Sequence, residues 1–274
     1  MTTWNKKFVE HIKNDIARLS IAFTWDLPEA YSRIIWLRTE GYHVIVGGPA
    51  VMLMPEYLSD VAEIGTDWPD AVSRHNPNAT FTSRGCIRKC SFCAVWRTEG
   101  KLQELDDWPT RPIVCDNNLL ACSKKHFDSV IDRLKPLSGI DFNQGLDARL
   151  LTDYHADRLG ELDCMVRLAF DHQSYEQQFL EGYERLRKAR VPKSKIRVYV
   201  LLGYKDTPED ALYRLQLVRD LGILPNPMRY NPLDTLVRDS YVGKHWTDSE
   251  ERRFMRYWAN LRYVGAIPFE DWRG

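Results

Sequence analysis

The sequence predicts an α/β fold: a partial (β/α)6 parallel barrel with a short N-terminal βαβ annex and a C-terminal helical cap. Three observations carry this. Between residues 80 and 231, six strand-like runs recur with helical stretches between several of them, the pattern of a parallel sheet covered by helices. Six units are too few for an eightfold barrel, and an open, partial one fits the count. Residues 20–46 hold a separate strand–helix–strand of βαβ size, and residues 248–261 read as a helix crowded with Phe254, Met255, Tyr257 and Trp258.

The annex begins with a short strand at 20–24. A helix over 27–40 follows, with apolar Ile34, Ile35 and Leu37, and Gly41 stops it. A β-rich run at 42–46 ends at Gly47-Gly48-Pro49, and residues 56–79 are loop-rich. Barrel strands are predicted at 80–83, 112–115, 139–142, 165–170, 196–202 and 228–231, and helices at 124–137, 153–162, 175–190 and 207–221. The start of the last helix is the best marked: Thr207 as cap, Pro208 in the first position, Glu209 and Asp210 in the first turn, and Gly222 beyond its end. The expected organisation is an annex over 1–74, a barrel over 75–235 and a cap over 236–274.

At 274 residues, with 44% hydrophobic and 28% charged residues, the chain can bury a sizeable core without staples. Lys+Arg and Asp+Glu both number 38, so the net charge is zero, where a dedicated nucleic-acid binder usually carries a basic excess. Residues 1–7 are polar, and the longest apolar run, 44–54, is broken by Gly47-Gly48-Pro49 and too short to span a bilayer. No membrane association is expected; a cytoplasmic, soluble protein is.

Of six cysteines, Cys115, Cys122 and Cys164 are scattered and read as buried thiols, whereas Cys86, Cys90 and Cys93 are spaced C-x3-C-x2-C. One tight loop can bring thiolates so spaced onto one face of a cubic iron–sulfur cluster, leaving one iron open to a ligand. The loop follows a predicted strand, and ligand sites of open α/β folds lie at the carboxyl ends of strands. Arg84, Arg88 and Lys89 add positive charge that suits bound thiolates and a carboxylate-bearing cofactor. A structural zinc site is an alternative. It needs a fourth, distant ligand such as His75 or Cys115. The other is three free thiols.

Cys86-x3-Cys90-x2-Cys93, with Phe92 just before the last cysteine, resembles the signature of the radical-SAM superfamily. Thr82-Ser83-Arg84-Gly85 ahead of it resembles the branch containing cobalamin-dependent enzymes and methylthiotransferases. The likeness extends over roughly 80–235. It includes Val114-Cys115-Asp116-Asn117-Asn118, the run from Gly145 to Asp153, the run from Leu202 to Asp210, and Asn231-Pro232-Leu233-Asp234-Thr235. The resemblance implies a [4Fe–4S] cluster on Cys86, Cys90 and Cys93 whose open iron chelates S-adenosyl-L-methionine. It implies an external one-electron reductant, flavodoxin- or ferredoxin-like, and a 5′-deoxyadenosyl radical that abstracts hydrogen from a substrate. The protein's part is orientation and exclusion of water.

The resemblance also assigns cofactor-binding positions. Phe92 lies by the adenine. Asp116, Asn117 and Asn118 fall where the methionine amino group is held, usually by backbone carbonyls. Gln144, Asp147 and Arg149 fall where ribose and carboxylate contacts occur. Gln173 and Ser174 fall where relatives have Glu-Ser, and Leu201, Leu202 and Gly203 line the adenine. From the residues alone, Asp116-Asn117 reads equally as a turn, Arg149 as a surface ion pair and Ser174 as a helix cap. Residues 20–60 resemble a shortened Rossmann-like domain of that branch, without its Asp-x-His-x-x-Gly cobalamin motif, so a reduced cap is expected there. The substrate is open. Charge favours a small molecule or peptide over nucleic acid. The alternatives are a nucleic-acid modifier and a non-catalytic, metal-stabilised binding module. The latter two lean on the basic run from Arg185 to Arg197, which could track phosphates but more often is the solvated end of a helix. The aromatic tail could close the mouth or stack a base, or simply pack as core.

Overall fold

The computed structural model describes residues 7–66, 70–260, 262–264 and 266–274. The first elements are β1 (Val9–Lys13), β2 (Ile16–Ser20), α1 (Leu27–Thr39), β3 (His43–Gly47), α2 (Pro49–Leu53) and β4 (Glu63–Ile64). β2, α1 and β3 form the expected βαβ unit, with β2 parallel to β3. The strand expected at 20–24 lies earlier, at Ile16–Ser20, and residues 24–26 form a 3-10 turn. The sequence reading also missed β1, which pairs antiparallel with β2. Asn14 makes their turn at φ 56°, a left-handed conformation that asparagine tolerates. Ala17, Leu19, Ile34, Leu37, Val44 and Val46 make the annex core.

Next come α3 (Ala71–His75), β5 (Ala79–Thr80), β6 (Ser83–Arg84), α4 (Val95–Thr98), β7 (Gln103–Glu104) and β8 (Ile113–Val114). They are followed by α5 (Lys124–Leu134), β9 (Ile140–Leu146), α6 (Asp153–Gly160), β10 (Cys164–Ala169), α7 (Glu176–Lys188), β11 (Ile196–Leu202), α8 (Pro208–Asp220), β12 (Leu224–Arg229) and α9 (Asp248–Trp258). Strands β5, β8, β9, β10, β11 and β12 form one six-stranded sheet in that spatial order, every neighbouring pair parallel. Spatial order thus follows chain order, with one antiparallel hairpin, β6–β7, set between the first two strands.

Two strand bounds shift from expectation. The run at 80–83 splits into β5 and β6, because Thr82 and Ser83 turn away to bind Asp116. The strand expected at 228–231 runs over Leu224–Arg229 and contains Pro225 and Pro227. Proline cannot donate to a ladder, and both sit on an edge strand with a single partner, where that loss is tolerated. The expected tail helix ends at Trp258. Leu261, its predicted last residue, lies outside the described residues.

Side chains alternate along the sheet. Val166, Leu168, Val198, Val200 and Leu202 are buried with Phe127, Ile131, Phe179, Leu186 and Leu215 of the helices. Asp141, Arg167, Arg197, Tyr199 and Leu201 face the other, half-open side. The aromatic tail joins the main core: Trp246, Phe254, Tyr257, Trp258, Phe269 and Trp272 are all buried, so ordinary packing accounts for it. Among the described residues no helix is long and apolar enough to cross a membrane.

Candidate iron–sulfur site at the strand ends

Asp116, just past β8, organises the chain ahead of the cysteine loop. Its carboxylate accepts the Thr82 N–H (2.6 Å), the Thr82 hydroxyl (2.5 Å) and the Ser83 hydroxyl (2.8 Å). Burial pushes this carboxyl upward, and the same hydrogen bonds oppose the shift. Its side chain is thereby fully engaged, which leaves only its backbone for a ligand. Gly85 then turns the chain into the loop at φ +73°, and its N–H donates to Glu99 Oε2 at 2.8 Å. The same oxygen accepts Asn117 Nδ2 (2.7 Å) and pairs with Arg84 (3.0 Å).

A Cβ on Gly85 would lie 2.2 Å from the Lys101 carbonyl oxygen. Gly85→Ala is therefore expected to cost at least about 2 kcal/mol and to deform the loop, since left-handed strain and a backbone clash add. Gly100→Ala is the control: φ is +75°, but nothing lies within 4 Å of the new Cβ. Equal losses in thermal unfolding for the two variants would contradict this.

Cys86, Cys90 and Cys93 are each half-buried and free. Cys86 Sγ accepts the Arg88 N–H (3.3 Å) and Asn118 Nδ2 (3.5 Å). The Cys93 N–H donates to the Cys90 carbonyl (3.1 Å), and the indole of Trp96 donates to the same oxygen (3.0 Å). Burial pushes the Cys90 and Cys93 thiols up, partly offset at Cys90 by the nearby Arg149 guanidinium. Bonding to a metal removes such protons. Among the described residues, no three His, Cys, Asp or Glu side chains converge as ligands of a single metal ion. Cys115, Cys122 and Cys164 are different in kind: burial pushes each to about 12, the state of inert packing thiols.

The structure brings several of the expected residues together. Arg88 of the loop pairs with Asp147 past the end of β9 (2.9 Å), and Arg149 pairs with the same carboxylate (2.6 Å). Burial works against charge on Asp147, but the two guanidiniums outweigh it and hold the carboxyl below its ordinary range. Arg149 also lies over the Tyr175 ring, 4.9 Å from its centroid. The Phe92 ring meets Tyr204 edge-on at 5.4 Å, and the Tyr204 hydroxyl donates to Ser91 Oγ at 2.6 Å. Asn118 is buried beside Cys86, and its Oδ1 has no hydrogen-bond partner. This is an acceptor in want of a donor at the position where an amino group was expected.

Other expected residues are placed differently. Gln144 is exposed on β9, next to the irregularity at Gly145 (φ +90°). Ser174 is exposed and engaged by His172 Nδ1 (2.9 Å). Leu201 faces the open side of the sheet, but the Leu202 side chain points into the core. Gly203, at φ +80°, donates its N–H to Asp206 (2.9 Å). Five of the seven cations of the basic run have partners, while Lys188 and Arg190 are exposed. Arg185 pairs with Asp153 and Glu181, Lys195 with Asp163, and Arg187, Lys193 and Arg197 donate to backbone carbonyls.

Sequence reasoning missed Asp171, Tyr204 and Arg214. Asp171 lies just past β10, and its Oδ1 accepts the Leu201 N–H at 3.1 Å. Burial pushes this carboxyl to about 6; the hydrogen bond, Arg214 and Arg149 only partly offset it. A folded-state value above the unfolded one stabilises the fold at low pH, and that stability is lost as pH rises through about 6. Asp171→Asn keeps the acceptor and is expected to flatten the fall in melting temperature between about pH 4 and pH 7, worth up to about 3 kcal/mol. Parallel pH profiles for variant and wild type would refute this. Arg214 did leave a signal: positions 211, 214, 215 and 218 form one helical stripe that is apolar except for the arginine.

No protein-family model matches this chain, and no curated protein matches it in sequence.

Proposed function

We propose that this chain is a radical-SAM enzyme in which Cys86, Cys90 and Cys93 hold a [4Fe–4S] cluster for the reductive cleavage of S-adenosyl-L-methionine. The observation that carries the reading is the loop itself: three half-buried thiols at C-x3-C-x2-C, at the carboxyl end of the first strand of a parallel sheet. Cys86, Cys90 and Cys93 would hold the cluster, which when bound would supply the one-electron reduction that S-adenosyl-L-methionine cleavage requires. All else is the work of the chain. Asn118 offers an unpartnered acceptor beside Cys86 and donates its amide N–H to that sulfur. Arg149 offers a guanidinium near Cys90 for a carboxylate. Phe92 and Tyr204 offer an aromatic wall for adenine. Asp147 holds Arg88, and so the loop, against the end of β9.

The monotonic strand order, with helices on one face and a polar, half-open opposite face, supports a partial six-stranded barrel whose concave side receives the substrate. The zero net charge, with Arg185 and Lys195 paired to carboxylates, favours a small molecule or peptide over a nucleic-acid substrate. A cluster sensitive to oxygen suits the cytoplasm. The test is anaerobic reconstitution with iron and sulfide, reduction with dithionite and addition of S-adenosyl-L-methionine, with 5′-deoxyadenosine measured by mass spectrometry. Product from the wild type and none from Cys90→Ala is expected. A protein that takes up tight zinc and no iron sinks the proposal.

A further inference from the structure

Four aromatic rings form a chain that begins in the cysteine loop: Phe92 meets Tyr204 at 5.4 Å between centroids, Tyr204 meets Tyr230 at 4.7 Å, and Tyr230 meets Tyr241 at 5.3 Å. The last two strands place them. Tyr204 follows β11, and Tyr230 follows β12 directly, its N–H donating to the Leu202 carbonyl (2.9 Å). Arg229, the last residue of β12, donates to the Tyr241 carbonyl (2.8 Å). The three tyrosines thus stand at the carboxyl ends of parallel strands, where such sheets receive ligands. Packing does not account for two of their hydroxyls. The fold gives its buried phenols a partner: Tyr183 donates to the Leu221 carbonyl (3.0 Å) and Tyr257 to the Ile267 carbonyl (2.5 Å). Tyr204 is engaged by Ser91. Tyr230 and Tyr241 are half-buried, yet their hydroxyls form no hydrogen bond among the described residues.

We propose that Tyr230 and Tyr241 hold the substrate, and that the substrate is a small, neutral heteroaromatic compound. The inference rests on the cluster reading above, in which Phe92 and Tyr204 stay with the adenine. The Tyr230 and Tyr241 rings cross at 89°. A flat ligand stacked on one of them therefore stands upright to the other, which meets its edge; stacked and edge-on contacts are both preferred aromatic arrangements. The two free hydroxyls add donors at the rim. They suit ring nitrogens or carbonyl oxygens and find no partner on a hydrocarbon ring. Burial pushes the Tyr230 phenol up, so it keeps its proton as a donor at neutral pH. Arg97 and Asp234 act on the same hydroxyl with opposite signs, which favours neither a cation nor an anion there.

The probe is caffeine, a neutral fused heteroaromatic ring with acceptor atoms and no donor, titrated into the full chain and followed by NMR. A dissociation constant on the order of 1 mM is expected for so small a ligand. Tyr230→Ala/Tyr241→Ala is expected to weaken binding about tenfold or more. Tyr230→Phe/Tyr241→Phe keeps both rings, and with them the packing, and is expected to weaken it about fivefold through loss of the donors. Theophylline-7-acetate, the same ring bearing a carboxylate, is expected to bind no more tightly than caffeine. In the iron-loaded chain, saturating S-adenosyl-L-methionine is expected to leave caffeine bound. Absence of caffeine binding, or equal affinity in the wild type and the phenylalanine variant, overturns the proposal. So does tighter binding of the anion. Displacement of caffeine by S-adenosyl-L-methionine also overturns it, by giving Tyr230 to the adenine. A chain that loads no iron but binds caffeine through these tyrosines overturns the cluster reading and leaves the aromatic site standing. An iron-loaded chain that cleaves S-adenosyl-L-methionine and shows none of this binding does the reverse.

Discussion

Replacing any one of Cys86, Cys90 and Cys93 by alanine is expected to abolish cluster loading, whereas Cys115→Ala, Cys122→Ala and Cys164→Ala are expected to leave it intact. The wild type should take up about four iron and about four sulfide per chain on anaerobic reconstitution, with broad violet charge-transfer absorption. In a cluster held as proposed, each loop thiolate would bind a separate iron, so losing one would cost the whole cluster rather than a third of its affinity. The scattered thiols cannot substitute. All three are held near 12 by burial, and Cys115 and Cys164 pack in the interior. Arg88 and Asn118 donate to Cys86 Sγ but supply no ligand of their own, so they should tune the bound sulfur without replacing it. Iron and sulfide assays on the six variants decide the matter. Undiminished iron in a loop variant, or its loss in Cys164→Ala with the fold intact by circular dichroism, would show that the sequence spacing misled.

That spacing was legible because it is local. Three thiols within one loop need no tertiary structure to be recognised, although the single strand expected before them is two short ones, β5 and β6. The α1–β3 part of the βαβ unit and the helix cap at Thr207 were legible for the same reason. What escaped depends on contacts distant in sequence. β12 was displaced in the reading because Pro225 and Pro227 argue against a strand, and only the sheet order shows it to be an edge. The role of Asp116 is set by Thr82 and Ser83, thirty-odd residues earlier, so a turn-like Asp-Asn became a buried anchor. Tyr204 meets the loop through Ser91, over a hundred residues away. The basic run shows the converse: its charge was plain in sequence, but three of its partners, Asp153, Asp163 and the Leu221 carbonyl, lie on other elements.

Arg214→Met is expected to be the most damaging single change outside the loop. This arginine is 1% exposed. Its guanidinium donates to the carbonyls of Asp171 (2.7 Å), Leu201 (2.9 Å) and Phe170 (3.4 Å), and it forms a short ion pair with Asp206. It thereby ties the ends of β10 and β11 to the start of α8. Asp206 in turn receives the Gly203 N–H and the Trp246 indole N–H (3.1 Å). Methionine fills much of the space but leaves three carbonyls short of a donor and a buried carboxylate without its counter-ion. Breaking such a pair from one side costs about 3–5 kcal/mol, or roughly 6–20 °C in melting temperature for a chain of this size. Burial already pushes the Asp206 carboxyl upward, and without Arg214 its proton affinity rises further. The penalty should therefore shrink as pH falls and the carboxyl takes up its proton. Adding Asp206→Asn removes the unpaired charge while keeping an acceptor for Gly203, so the double variant should recover about 1–3 kcal/mol of the loss. A double-mutant cycle by chemical denaturation measures this directly. Simple additivity would mean that Arg214 acts through its carbonyl contacts alone, and that the ion pair contributes nothing to the geometry of the strand ends.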